Sequence, residues 1–284
     1  MLLHYPPAPA LEPYIRRHYV FRAELPEDAV ILDKMIAETA FIRVALHGNW
    51  YVEADAPNKW RPASGAQLFG ANSTGFPLKV VGPFVILGCG IKPSGWKSLI
   101  NQSAHLYTDK MVNFEEICGD IATDMVGALH HQQSDEEMVA ILDAALIRQI
   151  DRVGRHHSDA QIERFETIGR IDSTIRIDDA AHDIGLSVRQ LERRSLESLG
   201  MTPKTFLRRC RFLDMAMMMR NLSHPSEEDL AALRYFDQSH LNREFKRFVG
   251  MTPKAFQNAS TPLMTAGLQL RREGDEQIFN QQRF

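Results

Sequence analysis

One short stretch of the chain occurs twice, and it constrains the fold more than any other feature. Gly-Met-Thr-Pro-Lys, followed two residues later by Phe, runs from Gly200 to Phe206 and again from Gly250 to Phe256. Glycine commonly ends a helix, threonine caps the start of the next helix, and proline is tolerated in its first turn. The repeat therefore predicts that one helical unit is built twice in the last third of the chain.

The similarity extends over whole units, IDDAAHDIGLSVRQLERRSLESLGMTPKTF and EEDLAALRYFDQSHLNREFKRFVGMTPKAF. In the first unit, Gly185 supplies a residue that tolerates positive φ at a turn between two helical stretches. Ser187 caps the second helix, and Gln190 stands at the capping-box position. A helix, a tight turn with glycine and a second capped helix form the helix-turn-helix pattern.

Two such motifs joined by the apolar segment TFLRRCRFLDMAMMMRNL closely resemble the DNA-binding domain of AraC/XylS transcription regulators. The resemblance covers roughly residues 165–258 and is strongest in the second unit. Its matching residues there are Tyr235, Phe236, Asp237, Gln238, Ser239, His240, Leu241, Arg243, Phe245, Lys246, Arg247, Gly250, Thr252, Pro253 and Phe256. The chain departs from the family at Arg234, where a turn glycine is usual, and at Ser195, where the first unit lacks the core aromatic.

A recognition helix places its early outward residues against base edges in the major groove. Leu191 is predicted to face the core, and Glu192 to be a solvated helix residue. The candidate base contacts are Arg189, Gln190 and Arg193 in the first motif, and Ser239, His240, Asn242 and Arg243 in the second. The candidate phosphate contacts are Lys204, Gln238, Lys246 and Lys254. Since the two sets differ, we expect one subunit to read an asymmetric site with segments about one helical turn apart.

The first part of the chain has a different pattern. Between about residues 15 and 92, short apolar runs alternate with turn signals, which predicts the strands of a small barrel or sandwich. Helical periodicity follows Pro93. The segment from Gly90 to Trp96 and its surroundings resemble the cupin-like sensor domain of some AraC/XylS regulators, which implies effector sensing, dimerisation or both. The 134–153 helix, with a capping box at Ser134 and Glu137, contacts either a second subunit or its own barrel.

We therefore predict an α+β chain: an N-terminal small β-barrel (cupin-like) with flanking helices, then an all-α domain of two helix-turn-helix motifs joined by a linker helix. The predicted boundaries are 1–130 for the sensor or dimerisation domain, 131–164 for a helical linker, 165–260 for the DNA-binding domain and 261–284 for a flexible tail.

Composition indicates the cellular compartment but not the function. The net charge of −3 gives no sign of nucleic-acid binding by itself. Three cysteines, few and odd in number, indicate a reducing compartment. With neither a signal-peptide pattern nor a long apolar run, we expect a cytoplasmic protein without membrane contact.

Catalytic signatures are missing from the sequence. His130–His131 and His156–His157 are adjacent pairs, which do not share a helix face as residues four apart would. We find no phosphate-binding glycine loop, no Gly-x-Ser-x-Gly and no Cys-x-x-Cys. We expect no enzyme activity, no cofactor and no metal.

The sequence thus predicts a transcription regulator that binds double-stranded promoter or operator DNA. We expect control by a small-molecule effector, by homodimerisation or by both, and contact with RNA polymerase if the protein activates. The alternative is a barrel enzyme or small-molecule carrier domain fused to a DNA-binding module, which a metal or turnover assay would reveal.

Overall fold

The structure is a computed structural model that describes residues 1–35, 39–53, 58–131, 134–154, 157–223 and 238–281. Its first half contains eight strands. They are β1 (Leu2–Tyr5), β2 (Ile15–Ala23), β3 (Val30–Met35), β4 (Phe41–Glu53), β5 (Trp60–Pro62), β6 (Gly65–Phe69), β7 (Phe76–Ile91) and β8 (Met111–Asn113).

The strands form one antiparallel sheet organised around β7. The main path is β1-β2-β7-β4-β6-β8, with β3 on the first half of β7 and β5 on the end of β4. β4 and β7 change register between Ala45 and Asn49, next to Gly48 and Gly82, which both have positive φ. A side chain at Gly48 would lie 2.5 Å from the Pro83 carbonyl oxygen. Glycine there lets the long strands bend, and bending gives the sheet a concave inner face.

The helices follow in chain order. They are α1 (Trp96–Leu99), α2 (Glu115–Cys118), α3 (Asp120–Leu129), α4 (Asp135–Val153), α5 (Ala160–Ile171), α6 (Ile177–Asp183), α7 (Val188–Ser198), α8 (Pro203–Met219), α9 (Gln238–Val249), α10 (Pro253–Asn258) and α11 (Pro262–Gln281). The predicted α+β class, an antiparallel sheet followed by a helical domain, is confirmed. Within the described residues, β1 and β8 end the sheet without pairing to each other, so the hydrogen-bonded path is open.

α4 packs on its own domain. The predicted capping box is present, with the Ser134 hydroxyl accepting from the Glu137 amide. The apolar stripe of α4, including Leu142 and Leu146, belongs to the same core as Ile42 on the outer face of the sheet. That stripe is therefore buried within the chain and is not offered as a dimer contact.

The inner face of the sheet forms a second core, rich in aromatic side chains. Phe41 stacks on Phe69 with ring centroids 4.6 Å apart, and Trp50 meets Phe84 edge to face at 5.0 Å. Leu263 from α11 joins this core. The concave face of the sheet is thus covered by a helix from the far end of the chain.

The helical domain has two cores that share α8. Phe206 and Cys210 pack with α5, α6 and α7, whereas Phe212 and Met217 pack with α9 and α11. The predicted linker helix therefore holds one motif on each half of its length.

α11 overturns one prediction. The 261–284 segment was expected to be a flexible tail because it is polar. Instead Pro262–Gln281 is helical, and Leu263, Met264 and Leu268 are buried. These apolar residues cluster at the start of the segment, so its average composition concealed them.

An ion pair fixes the start of α4 to the sheet, and it predicts how the stability of the fold depends on pH. Arg22 forms a bidentate contact with Asp135, which also accepts from the Tyr5 hydroxyl at 2.8 Å. The Arg22 hydrogen bonds hold the pKa of Asp135 below its usual 3.8, so its ionised form stabilises the folded state.

We expect Asp135→Asn to lower the free energy of unfolding by about 1–3 kcal/mol at pH 7. The deficit relative to wild type should shrink as the pH falls below about 3.8, because a lowered carboxylate pKa stabilises only while the group is ionised. Urea unfolding at several pH values measures this. Asp124→Asn, in the exposed pair with Arg148, is the matched control and should cost less than about 1 kcal/mol. An equal deficit at pH 7 and pH 3 would contradict the assignment.

Candidate nucleic-acid interface

The first helix-turn-helix is built as its sequence predicts. α6 ends at Asp183, Gly185 has φ of 71°, and Ser187 caps α7 with Gln190 completing the capping box. Leu191 of α7 is fully buried against the core of the motif. These contacts fix the rotation of α7 and therefore decide which of its side chains face solvent.

The three predicted base-contact residues of α7 all face solvent. Arg189, Gln190 and Arg193 are exposed, as is Glu192. The Gln190 side-chain carbonyl oxygen already accepts from the Ser187 amide and hydroxyl, each at 2.9 Å. Only its amide nitrogen stays available for a base, so the two arginines are the stronger candidates.

The second motif presents α9 in the corresponding way. Ser239 and Arg243 are exposed and Asn242 is half-buried, while Phe245 is fully buried. The side chains of Gln238 and His240 lie outside the described residues, so their predicted contacts are not located. The same holds for the 224–237 segment, with the altered turn at Arg234.

The repeated stretch closes each motif. Gly200 and Gly250 have φ of 78° and 74°, and the hydroxyls of Thr202 and Thr252 accept from the amides of Thr205 and Ala255. α8 and α10 thus each begin with a capped first turn, and the positive end of a helix dipole attracts anions. The predicted phosphate contacts Lys204, Lys246 and Lys254 are all exposed.

An ion pair that the sequence analysis missed joins α8 to α9. Arg208 donates to both carboxylate oxygens of Glu244, and Glu244 is fully buried. Glu244 aligns with Arg194 of the first motif, so alignment of the two units gives no sign of it. Arg194 instead contacts Asp159, at 3.0 Å, at the start of α5. The two recognition helices are therefore anchored by different ion pairs.

The first motif also docks on the sheet domain. The Thr108 hydroxyl donates to the Gly200 carbonyl at 2.6 Å, and buried Arg209 donates to the Asn72 carbonyl at 3.1 Å. The second motif is also held to the sheet domain, because the Gly75 backbone N–H donates a hydrogen bond to the Phe248 carbonyl of α9 at 3.0 Å. The sheet domain therefore fixes the position of the helices that carry the candidate DNA contacts.

A cavity of about 130 Å³ lies where the inner face of the sheet meets α11 and α8. Its walls are mainly apolar, and Arg43 and Trp50 line it beside Gly267 of α11. The sequence analysis missed Arg43. The sequence does contain a sign of it, because Arg43 is a charged residue between apolar neighbours in the predicted strand FIRVALHG.

Comparison with known proteins agrees with the helical architecture. Residues 180–259 match a family model described as a helix-turn-helix domain. These residues form an AraC/XylS-type DNA-binding domain. The HTH-type transcriptional activator RhaS of Salmonella dublin is 22% identical over 167 residues, which are 58% of this chain and 58% of RhaS. The chain thus matches less than two thirds of that curated relative.

Two crystal structures of ToxT from Vibrio cholerae are similar over longer stretches. One, an apo variant, has a TM-score of 0.46 at 13% identity and covers 84% of this chain and 96% of its own. The other has a TM-score of 0.46 at 12% identity, with 86% and 98% covered.

Two further observations concern the part of the chain that the structure describes. Across the described residues, no helix has both the length and the hydropathy that a membrane crossing needs. In the same part of the chain, no three His, Cys, Asp or Glu side chains form a cluster suited to a metal ion.

The contact between Gly200 and Thr108 predicts that alanine is tolerated less well at Gly200 than at Gly185. Alanine at Gly200 or Gly185 pays a similar cost for positive φ, about 1–2 kcal/mol. A Cβ at Gly200 would also lie 2.4 Å from the Thr108 hydroxyl, whereas one at Gly185 meets nothing within 4 Å.

We expect Gly200→Ala to lower the free energy of unfolding by at least about 1 kcal/mol more than Gly185→Ala, because of this clash. Urea denaturation measures both. In a Thr108→Ala background the difference should narrow. If the two substitutions lower the free energy of unfolding equally in the wild-type background, the proposed close contact between Gly200 and Thr108 is wrong.

Proposed function

We propose that the chain is a sequence-specific DNA-binding transcription regulator. The observation that carries this proposal is the pair of helices α7 and α9, both held on α8, with Arg189, Arg193, Ser239 and Arg243 exposed. Arginine pairs with guanine in the major groove, where each good contact discriminates by about 1–3 kcal/mol. A purely structural helical repeat would not need these outward polar side chains at both positions.

Recognition proceeds in two layers. Exposed Lys204, Lys246 and Lys254, with the amide groups that open α8 and α10, would bind phosphates and set the register of the protein on the duplex. α7 and α9 would then read base edges in two successive segments of the major groove. Because the outward side chains of the two helices differ, the two segments have different sequences.

Control is proposed to enter through the sheet domain. The cavity between the sheet and α11 offers a place for a small-molecule effector, and its walls come from both domains. An effector bound there would touch Leu213 of α8, the helix that carries both motifs. Homodimerisation and action in the cytoplasm are part of the same proposal, as is contact with RNA polymerase if the protein activates.

The competing function is a barrel enzyme or carrier fused to a DNA-binding module. The same cavity favours it, because an apolar pocket with a few polar groups can also hold a substrate or cargo. Turnover of a bound compound, or a metal retained through purification, would support that alternative.

The first test is selection of binding sites from a genomic DNA pool by wild type, Arg189→Ala and Arg243→Ala. We expect wild type to enrich an asymmetric site with segments about 10 base pairs apart. Each substitution should relax preference in a different segment, because each removes one base contact. Arg148→Ala, on the outer face of α4, is the matched control and should leave the site unchanged. If both substitutions weaken binding without relaxing preference, the arginines contact phosphates; if wild type enriches nothing with or without effector, the proposal fails.

The phosphate contacts are tested by the salt dependence of binding. Each of Lys204→Ala, Lys246→Ala and Lys254→Ala should lower the slope of log K against log salt by about 1, since each removes one displaced counterion. Preference among sequences should not change. Lys59→Ala, an exposed lysine of the sheet domain, is the control. A slope equal to wild type in all three variants would remove these lysines from the interface.

A further inference from the structure

A polar cleft of about 800 Å³ lies beside the first recognition helix. One wall is α7, which contributes Arg193 and Glu197, one helical turn apart. The opposite wall is the sheet domain, which contributes Lys97 of α1 and Asn101 shortly after it. All four side chains are exposed. We call the space between these two walls the flank cleft, because it runs along one flank of the helix that carries the candidate base contacts.

Hydrogen bonds hold the two walls of the flank cleft in place. The Ser103 hydroxyl of the sheet domain donates to the Leu196 carbonyl of α7 at 3.4 Å. The Asp159 amide, at the start of α5, donates to the Ser94 carbonyl in the turn before α1 at 3.1 Å. Arg194 of α7 in turn pairs with the Asp159 carboxylate at 3.0 Å. These contacts fix α1 at a set position beside α7.

The charges of the flank cleft leave a positive balance. Arg194 and Asp159 offset each other, and the Asp159 carboxylate also accepts from two amides in the first turn of α5. Within the described part of the chain, neither Lys97 nor Arg193 forms a salt bridge, and nor does Glu197. Two uncompensated cations therefore accompany one uncompensated carboxylate, which suits an anionic partner.

The geometry of B-DNA brings a phosphate strand to such a flank. An α-helix with its side chains is about 10–12 Å across, and the major groove is about 12 Å wide. A helix that lies in the groove therefore has a sugar–phosphate strand close to each of its flanks. With Arg189 and Arg193 directed at base edges, one of these two strands passes the opening of the flank cleft.

We propose that the sheet domain binds the DNA backbone at the flank cleft, where Lys97 contacts a phosphate of the strand beside α7 and Asn101 donates a hydrogen bond to the same strand. This inference rests on the proposed function, because it adds a contact to the DNA interface of the first motif. Lysine and asparagine contacts to phosphates fix the register of a protein on the duplex and carry no sequence information directly. The domain that is proposed to sense the effector thus also holds the DNA.

Glu197 supplies a contrast of sign. Its carboxylate lies on the α7 wall of the flank cleft and, in the proposed complex, faces the same phosphate strand as Lys97. A negative charge beside a phosphate opposes binding, whereas a positive charge favours it. Removal of the Glu197 charge should therefore strengthen DNA binding, and removal of the Lys97 charge should weaken it.

The test is the salt dependence of DNA binding by the full-length protein, measured by fluorescence anisotropy on the site that wild type selects. Lys97→Gln should lower the slope of log K against log salt by about 1 and weaken binding about 5- to 10-fold at 0.1 M salt, because one counterion fewer is displaced. Lys97→Arg should keep the slope. Asn101→Ala should weaken binding and keep the slope, since an amide carries no charge. Glu197→Gln should bind more tightly than wild type.

Single neutral phosphates locate the contact. In a set of duplexes, each carries one methylphosphonate in place of a phosphate along the first segment. At the phosphate that Lys97 contacts, wild type should lose affinity and Lys97→Gln should lose none, because its partner is already absent. At every other position the two proteins should lose affinity equally. Lys59→Gln, at an exposed lysine of the same domain, is the matched control and should behave as wild type in both experiments. Thermal unfolding of each variant without DNA checks that the fold is intact.

Two outcomes overturn the inference: a salt slope of Lys97→Gln equal to that of wild type, or equal losses by the two proteins at every methylphosphonate. The second would mean that Lys97 attracts DNA from a distance without touching it. In the first case a calorimetric titration of the free protein with inorganic phosphate, for wild type and Lys97→Gln, shows whether the flank cleft holds a free anion instead. Both outcomes leave the proposed function standing, since wild type still selects DNA. If wild type selects no DNA, the proposed function fails as well.

Discussion

A carboxylate from the sheet holds the start of the last helix, and the relation between the two domains depends on it. Asp33 of β3 accepts from the amides of Leu263 and Met264 at 2.8 and 3.1 Å. A negative charge at a helix N-terminus is stabilising, by up to about 2 kcal/mol when partly buried. Burial raises the pKa of Asp33, while the backbone hydrogen bonds from Met264, Lys34 and Leu263 oppose that rise. The sheet thereby supplies the acceptor for two amides in the first turn of α11.

This cap explains how one helix can close the cavity and touch both domains. From the point fixed by Asp33, α11 crosses the inner face of the sheet and reaches α8, where Arg271 contacts Asp214. Arg17 of β2 donates to the Leu270 carbonyl on the same helix. A change in the cavity therefore acts on a helix that has polar contacts with the sheet on one side and with α8 on the other. This arrangement gives the proposed effector a direct physical route to the motifs.

The sequence predicted local features well because their causes are local. The capping boxes at Ser134 and Ser187 and the positive φ of Gly185 and Gly200 each follow from a few neighbouring residues. The rest depends on distant partners. The residues around Asp33 give no sign that it caps a helix 230 residues later in the chain. Glu244 aligns with Arg194 of the first motif, so the repeat does not predict its ion pair. Arg43 is similar, because an inward cation in an apolar strand acquires meaning only when the other walls of its cavity are known.

α8 has a consequence for the geometry of the DNA. Its two halves belong to two separate cores, and the Arg208–Glu244 pair holds α9 against it, so the two recognition helices are fixed relative to each other. B-DNA turns once in about 10.5 base pairs, so one inserted base pair rotates the second segment by about 35° around the duplex axis. A rigid connection cannot follow that rotation without twisting the DNA. In the proposed complex the protein therefore measures helical phase as well as sequence, and the spacer between the two segments carries information although no side chain touches it.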